Sequence, residues 1–363
     1  MNIAVVPWSH HFSGNELFSL TSKHNFDHRL NPFSCLKSNL LKDNHSINTI
    51  DLYDGRYQNL DVILFFRIDY SVLYQALKSG FKGKMIYFAW EPPVVSKEHS
   101  AEQLVEFLNM FDSIMTWNDD LVNDDGFYKI TFPQWFNINS KKYQNVEFQN
   151  KKLLTNISMD KSSFHPDELY TARKNIIDYF ESHSSENFDF YGMRWKTNTF
   201  KNYKGICDDK IEVYSKYKFS VCFENMKDNK GYITEKLFDC FKAGIIPIYW
   251  GAPNVCDYIP EGCFINYERF KNVSEMYQYI SQIDENQYNE FKRNISDFLA
   301  SESIKVFEET FLRKQLLKVI NKKTVTSNKI LRLGLTCKYL IIREHLIKCC
   351  KDRVKRILGR PIY

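Results

Sequence analysis

The sequence predicts an α/β protein of two doubly wound domains followed by a basic, amphipathic helical tail. Three observations carry this. From Met1 to Asn150, short apolar runs of strand character alternate with stretches of helical spacing. One later stretch, Tyr217 to Gly251, reads YKFSVCFENMKDNKGYITEKLFDCFKAGIIPIYWG and spells a complete strand–helix–strand unit. The chain of 363 residues, with 29 Phe and 22 Tyr, is long and apolar enough for two cores, which excludes a disordered protein.

In order, Asn2 to Val6 reads as a strand and Trp8 to Glu16 as the polar loop after it. Asn31 to Leu41 has helical spacing, and Ser46 to Leu52 strand character. Leu60 to Ile68 (LDVILFFRI) is nearly all apolar, as a parallel strand covered on both faces must be. After helix Ser71 to Leu77, Lys84 to Trp90 (KMIYFAW) is another such strand. It stops at Glu91-Pro92-Pro93, where prolines cannot continue a ladder. Helix Ala101 to Asn109 and strand Ser113 to Trp117 follow. Periodicity weakens from Tyr128 to Asn150, so the domain boundary belongs there. The expected domains are 1–150 and 151–320, with the tail over 321–363. The second domain opens on strand Lys152 to Met159, helix Pro166 to His183 and strand Phe188 to Tyr191, which leads into Gly192-Met193-Arg194. It closes on strand Cys263 to Tyr267 and helices Ser274–Ile283 and Gln287–Leu299. No repeat or Pro/Gly-rich linker interrupts the chain, which suits two domains facing each other across a cleft.

Within the central unit, Phe219 to Phe223 is the first strand and Glu224 to Gly231 a polar loop. Thr234 caps the next helix, Glu235 fits its first turn, and Leu237, Phe238 and Phe241 share one face. Gly244 stands where a C-cap belongs, before strand Ile245 to Trp250. Open α/β sheets bind ligands at the carboxyl ends of their strands, and a helix N-terminus there favours an anion. Asn225, Tyr232, Glu235 and Lys236 converge on that edge.

The run CFEN, then GYITEKLFDCFKAGIIPIYWGAPNV, resembles the donor-binding motif of the α1,3/α1,4-fucosyltransferases, glycosyltransferase family 10. The match is dense from Lys216 to Asn266 and thinner on either side. The resemblance implies a bacterial-type member with a GT-B fold, its first Rossmann-like domain facing the acceptor and its second binding a GDP-sugar. It implies that Asn225, Tyr232, Glu235, Lys236 and an upstream arginine, matched to Arg194, contact the donor, and that Glu91 is the catalytic base. Members carry Glu-Ser-Pro where this chain has Glu-Pro-Pro, so that match is partial. The implied reaction is one inverting displacement, in which GDP-β-L-fucose yields an α-L-fucoside. The favoured product is an α1,3 linkage to N-acetylglucosamine in an oligosaccharide or lipid-linked glycan, for O-antigen or capsule. Other GDP-linked 6-deoxy or dideoxy hexoses fit the same scaffold. A silent glycan-binding module and a scaffold protein assembling through the tail are the rivals from other classes.

Such a reaction needs cations for the charge that builds on the diphosphate. Lys236 has the right place, against the alternative of a solvated helix lysine. Arg194 has the bidentate guanidinium, against a surface arginine, and Lys196 competes with it. Glu235 is expected to accept bonds from sugar hydroxyls or to stabilise the cation-like fucosyl ring. Tyr232 is expected to pack on base or ribose. Glu224 is either a contact or a brace for the loop backbone. Partial burial of Glu91 would raise its pKa and suit it to accept a proton. No metal is required, although Mn or Mg can assist some relatives. Asp208-Asp209 is a weak candidate, and adjacent His10 and His11 have no third ligand at suitable spacing. Asp119, Asp120, Asp124 and Asp125 read as a solvated acidic turn.

Net charge is +5, unevenly spread. Between 322 and 363, twelve Lys and Arg stand against Glu344 and Asp352, a surplus of ten that leaves the rest five negative. The body therefore does not suit nucleic acid. In the tail, Leu335, Tyr339, Ile342, Leu346, Cys349 or Cys350, Val354 and Ile357 draw one helical stripe among basic residues. That pattern predicts membrane-surface contact, against packing on the domain or on a second chain. Nine cysteines without CxxC spacing read as reduced thiols of a cytoplasmic protein, peripheral on the inner face of the membrane. The N-terminal MNIAVVPW reads as a strand and not as a signal peptide, and no run reaches the roughly 18 apolar residues of a spanning helix.

Overall fold

The computed structural model describes residues 1–136, 146–197, 199–322 and 333–357. In chain order it contains β1 (Asn2–Val6), α1 (Asn31–Lys42), β2 (Ser46–Thr49), β3 (Val62–Phe65), α2 (Tyr70–Ser79), β4 (Lys84–Ala89), α3 (Ala101–Phe107), β5 (Ser113–Thr116) and β6 (Phe127–Lys129). There follow β7 (Lys152–Ile157), α4 (Tyr170–His183), β8 (Phe188–Tyr191), α5 (Lys210–Ser215), β9 (Tyr217–Phe223), α6 (Glu235–Ala243), β10 (Ile246–Trp250) and β11 (Ile265–Asn266). The chain ends in α7 (Val273–Gln282), α8 (Glu285–Ala300), α9 (Glu309–Asn321) and α10 (Leu335–Ile357). Short 3-10 turns join many of these elements.

Two compact units result. The first is Met1–Pro133 plus the chain from Glu309 onward. Its sheet is parallel, ordered β2-β1-β3-β4-β5-β6. Every residue of β3 is buried, as is every residue of β4 but Lys84, which explains their apolar runs. Asp69 caps α2 by accepting from Ser71 and Val72 N–H, and Gly80 ends that helix at φ +66°. The second unit, Gln134–Glu308, holds a five-stranded parallel sheet ordered β11-β10-β9-β7-β8.

The expected domain limits shift in two places. The division falls at 133/134, inside the weakly periodic stretch but ahead of residue 150, and residues 137–145 of that stretch lie outside the described ones. The chain from Glu309 to 320, expected in the second domain, belongs to the first unit. Leu312, Leu316, Val319 and Ile320 of α9 share a core with Ile3, Val5, Phe33 and Leu36. Lys84 Nζ donates to the Val319, Ile320 and Lys322 carbonyls at 3.1, 2.7 and 2.6 Å, capping the end of α9.

The tail helix α10 lies on α2 of the same unit. Ile341 is wholly buried, the His345 ring stacks on Tyr74 at 4.3 Å, and Lys348 reaches Asp69 at 3.4 Å. The predicted stripe is a different face: Tyr339, Ile342, Leu346 and Val354 are all exposed. Residues 323–332 and 358–363 of the predicted tail lie outside the described ones.

Candidate active site

In the second unit the chain runs from β7 to β8 on one side, then returns to β9 on the other. The carboxyl ends of β7 and β9 therefore flank a topological switch point, where parallel sheets bind ligands. β9 delivers Glu224 and Asn225 there, and the following loop returns at Thr234 to start α6.

Glu224 is the centre of this corner, with none of its surface exposed. Its Oε1 accepts the Thr234 N–H at 2.8 Å, and its Oε2 accepts the Thr234 hydroxyl at 2.8 Å and Lys236 Nζ at 2.9 Å. Its own N–H donates to the Trp250 carbonyl at 2.8 Å. A buried carboxylate survives only with such a set of donors. The brace reading of Glu224 therefore describes what the structure shows. Gly251 makes room for it, since a Cβ there would stand 2.6 Å from Glu224 Cγ and from the Tyr249 hydroxyl.

Lys236 is not a solvated lysine. It gives one N–H to Glu224 and another, at 3.0 Å, to the Thr234 hydroxyl. Desolvation would lower its pKa, but Glu224 and then Glu235 outweigh that and hold the ammonium above its ordinary range. An ammonium has three N–H groups, so one remains for a ligand. Glu235 is half exposed in the first turn of α6. Desolvation opposes its ionisation, yet Lys236, Lys210 and the backbone N–H pull its carboxyl down to about 2. Such a group is a permanent negative charge and a poor proton acceptor, which fits charge stabilisation and not base catalysis.

Asn225 is held at both ends. Its Oδ1 accepts from Arg173 at 3.3 Å and its Nδ2 donates to the Tyr232 hydroxyl at 3.3 Å. Tyr232 is 1% exposed, so its ring offers no face to a base or ribose, contrary to expectation; it supports the loop. Arg194 stands at the same sheet edge, beyond the end of β8 and two strands from β9. It is exposed, adopts φ +69°, and makes no side-chain hydrogen bond or ion pair among the described residues. Lys196 is exposed as well. Gly192, just before, is required: a Cβ there would lie 1.9 Å from the Ser158 carbonyl oxygen.

In the first unit, Glu91 follows β4 at the carboxyl edge of its sheet. Its side chain is exposed, so the expected partial burial is absent. Its backbone is anchored instead. The Glu91 carbonyl accepts His99 Nδ1–H at 2.6 Å, while the Tyr87 hydroxyl bonds His99 Nε2 at 2.7 Å. Burial lowers the His99 pKa and keeps the ring neutral, as this arrangement needs.

Sequence reading missed Arg173 and His99. Arg173 acts on backbone carbonyls some fifty residues away, and His99 on one eight residues before it across an irregular Pro-containing loop, and no periodicity signals either. The weaker metal candidates go elsewhere. Asp119, Asp124 and Asp125 pair with Lys129, Lys318 and Lys322. The His10 and His11 rings lie with centroids 4.0 Å apart, tilted 44° to each other.

Residues 152–325 match the family described as glycosyltransferase family 10 (fucosyltransferase), C-terminal. An α-(1,3)-fucosyltransferase of Helicobacter pylori is 45% identical over 76 residues, covering 21% of this chain and 16% of that protein. The mouse 4-galactosyl-N-acetylglucosaminide 3-α-L-fucosyltransferase 9 is 41% identical over 78 residues, 21% of each. The match thus spans no more than about a fifth of the length of these curated relatives. A crystal structure of an α1,3-fucosyltransferase aligns with TM-score 0.57 at 18% identity, over 91% of this chain and 92% of that one. An α1,3-fucosyltransferase structure with GDP-fucose aligns with TM-score 0.53 at 18% identity, over 90% and 92%. The α/β fold with two parallel sheets is the GT-B fold of those structures.

Proposed function

We propose that this chain, whose residues 152–325 match glycosyltransferase family 10 (fucosyltransferase), transfers L-fucose from GDP-L-fucose to a glycan hydroxyl with inversion. The observation that carries the proposal is the Glu224–Thr234–Lys236 cluster at a helix start, at the switch point of a parallel sheet.

In this reading the diphosphate sits on the N-terminus of α6, held by the remaining N–H of Lys236 and the amide of Asn225. Arg194 supplies the second cation from the end of β8. The acceptor oxygen attacks C1 of fucose and gives its proton to Glu91, while the C1–O bond to GDP breaks and its electron pair leaves with GDP. Glu235, always charged, stabilises the positive ring that develops between these events. Tyr232 keeps its donor role indirectly, by holding Asn225.

The acceptor we favour is an N-acetylglucosamine unit fucosylated at O3, in an O-antigen or capsule precursor. The mouse relative, named a 4-galactosyl-N-acetylglucosaminide 3-α-L-fucosyltransferase, supports it. The exposed stripe of α10, set among basic residues, supports work at the inner membrane surface. No described helix is long and apolar enough to cross a membrane. Mn or Mg is taken as a stimulant at most.

The test is mass spectrometry of products from several GDP-sugars with β-galactosyl-N-acetylglucosamine acceptors, with and without EDTA. A fucose increment from GDP-fucose alone supports the proposal. Transfer of another deoxyhexose assigns a different donor. Glycan binding with neither transfer nor GDP affinity replaces the enzyme with a binding module.

A further inference from the structure

We infer that Arg173 is a positioning residue for the donor site: from α4 it orients the Asn225 amide and adds the positive charge that offsets the second carboxylate beside Lys236. The inference rests on the donor reading above.

Arg173 is 6% exposed. Its Nη2 donates to the Phe223 carbonyl at 2.7 Å, the Glu224 carbonyl at 2.5 Å and Asn225 Oδ1 at 3.3 Å. Those two carbonyls end β9, where the ladder stops and buried acceptors need another donor. The same helix start is tied to the loop by backbone bonds. Leu169 N–H donates to the Asn225 carbonyl at 3.1 Å, and Lys227 N–H donates to the Asp167 carbonyl at 2.9 Å.

Two consequences follow. A guanidinium only donates, so Asn225 must turn Oδ1 toward Arg173 and Nδ2 away from it. Tyr232 takes one Nδ2 hydrogen, and the second stays available to a donor oxygen. The other consequence is charge. Glu224 and Lys236 cancel, and Glu235, 4.0 Å from Lys236, would leave the corner one charge negative toward a diphosphate. Arg173 lies close enough for its charge to be felt by both Glu224 and Lys236. It offsets the Glu235 charge without itself being exposed.

The experiment is calorimetric titration of the full chain with GDP, with unfolding midpoints measured on the same samples. Arg173→Gln should bind GDP at least ~10-fold more weakly, as loss of a charged hydrogen-bonding group predicts. Arg173→Lys, which keeps charge but loses the planar fork, should fall between it and the wild type. Adding Asn225→Ala to either variant should cost less than it does in the wild type, because both act on one contact. Folded Arg173 variants that bind GDP like the wild type, or effects that simply add to Asn225→Ala, overturn the role. If Arg173→Gln does not fold, Arg173→Lys carries the test; failure of both to fold makes Arg173 a core residue only and overturns it too. A wild-type protein indifferent to GDP overturns the donor reading, and this role with it.

Discussion

Glu224 shows what one buried charge does here. It fixes the N-cap of α6, neutralises Lys236 and receives β10 through its own N–H. Glu224→Gln keeps the shape but leaves the ammonium without its counter-charge. We expect a loss of about 2–4 kcal/mol in denaturant unfolding, less than the largest buried-pair values because Lys236 is partly solvated. An unchanged midpoint would remove the cluster as a structural element. His99 supplies the second residue-scale prediction. Its folded pKa is lowered by burial, so below pH ~6.5 the unfolded chain takes up a proton that the folded chain refuses. Stability should therefore fall as pH drops from about 6.5 toward 5, and His99→Gln should flatten that part of the profile. Parallel profiles for the two proteins would rule His99 out as the source.

At the scale of elements, α6 and α10 contrast. All residues of α6 from Leu237 to Ala243 are buried, and both its ends are closed, by Thr234 and by Gly244 at φ +69°. Its start can hold an anion in one place because the rest of the helix cannot move. α10 is held to α2 by one face only, through Ile341, His345 and Lys348. Its stripe and its cations remain outside, a composition suited to an anionic lipid surface. Removal of 333–363 should abolish flotation with anionic vesicles, with turnover on a soluble acceptor changed less than about twofold, since no proposed catalytic group lies there. Flotation that survives the truncation would place lipid binding elsewhere in the chain.

Across the whole molecule, the proposed roles divide between the units. Lys236 belongs to the unit with the family match, and Glu91 to the other. They should therefore fail differently. Lys236→Ala should weaken GDP by ~10-fold or more, through loss of a charge-assisted contact. Glu91→Gln should keep GDP affinity and lower kcat by roughly 100-fold or more, the usual worth of a general base. Titration and steady-state kinetics on the same preparations separate the two, and full turnover by the Glu91 variant would remove it as base.

Much of this was legible in the chain. Apolar runs marked β3 and β4, and the Tyr217–Gly251 stretch named the strand, the cap, the helix and the C-cap glycine nearly to the residue, because periodicity and caps are local physics. Three-residue β6 and six-residue α5 escaped, being too short to show a period. What only the tertiary structure decided are contacts that no periodicity encodes. Across long stretches of sequence these are Arg173 on the end of β9 and α9 returning to the first unit; within irregular loops they are His99 on the Glu91 carbonyl and Tyr232 turned inward to hold Asn225. A sequence reports which groups want burial or a partner. Which partner each one meets is a property of packing, since a buried donor accepts any carbonyl that the fold brings within reach.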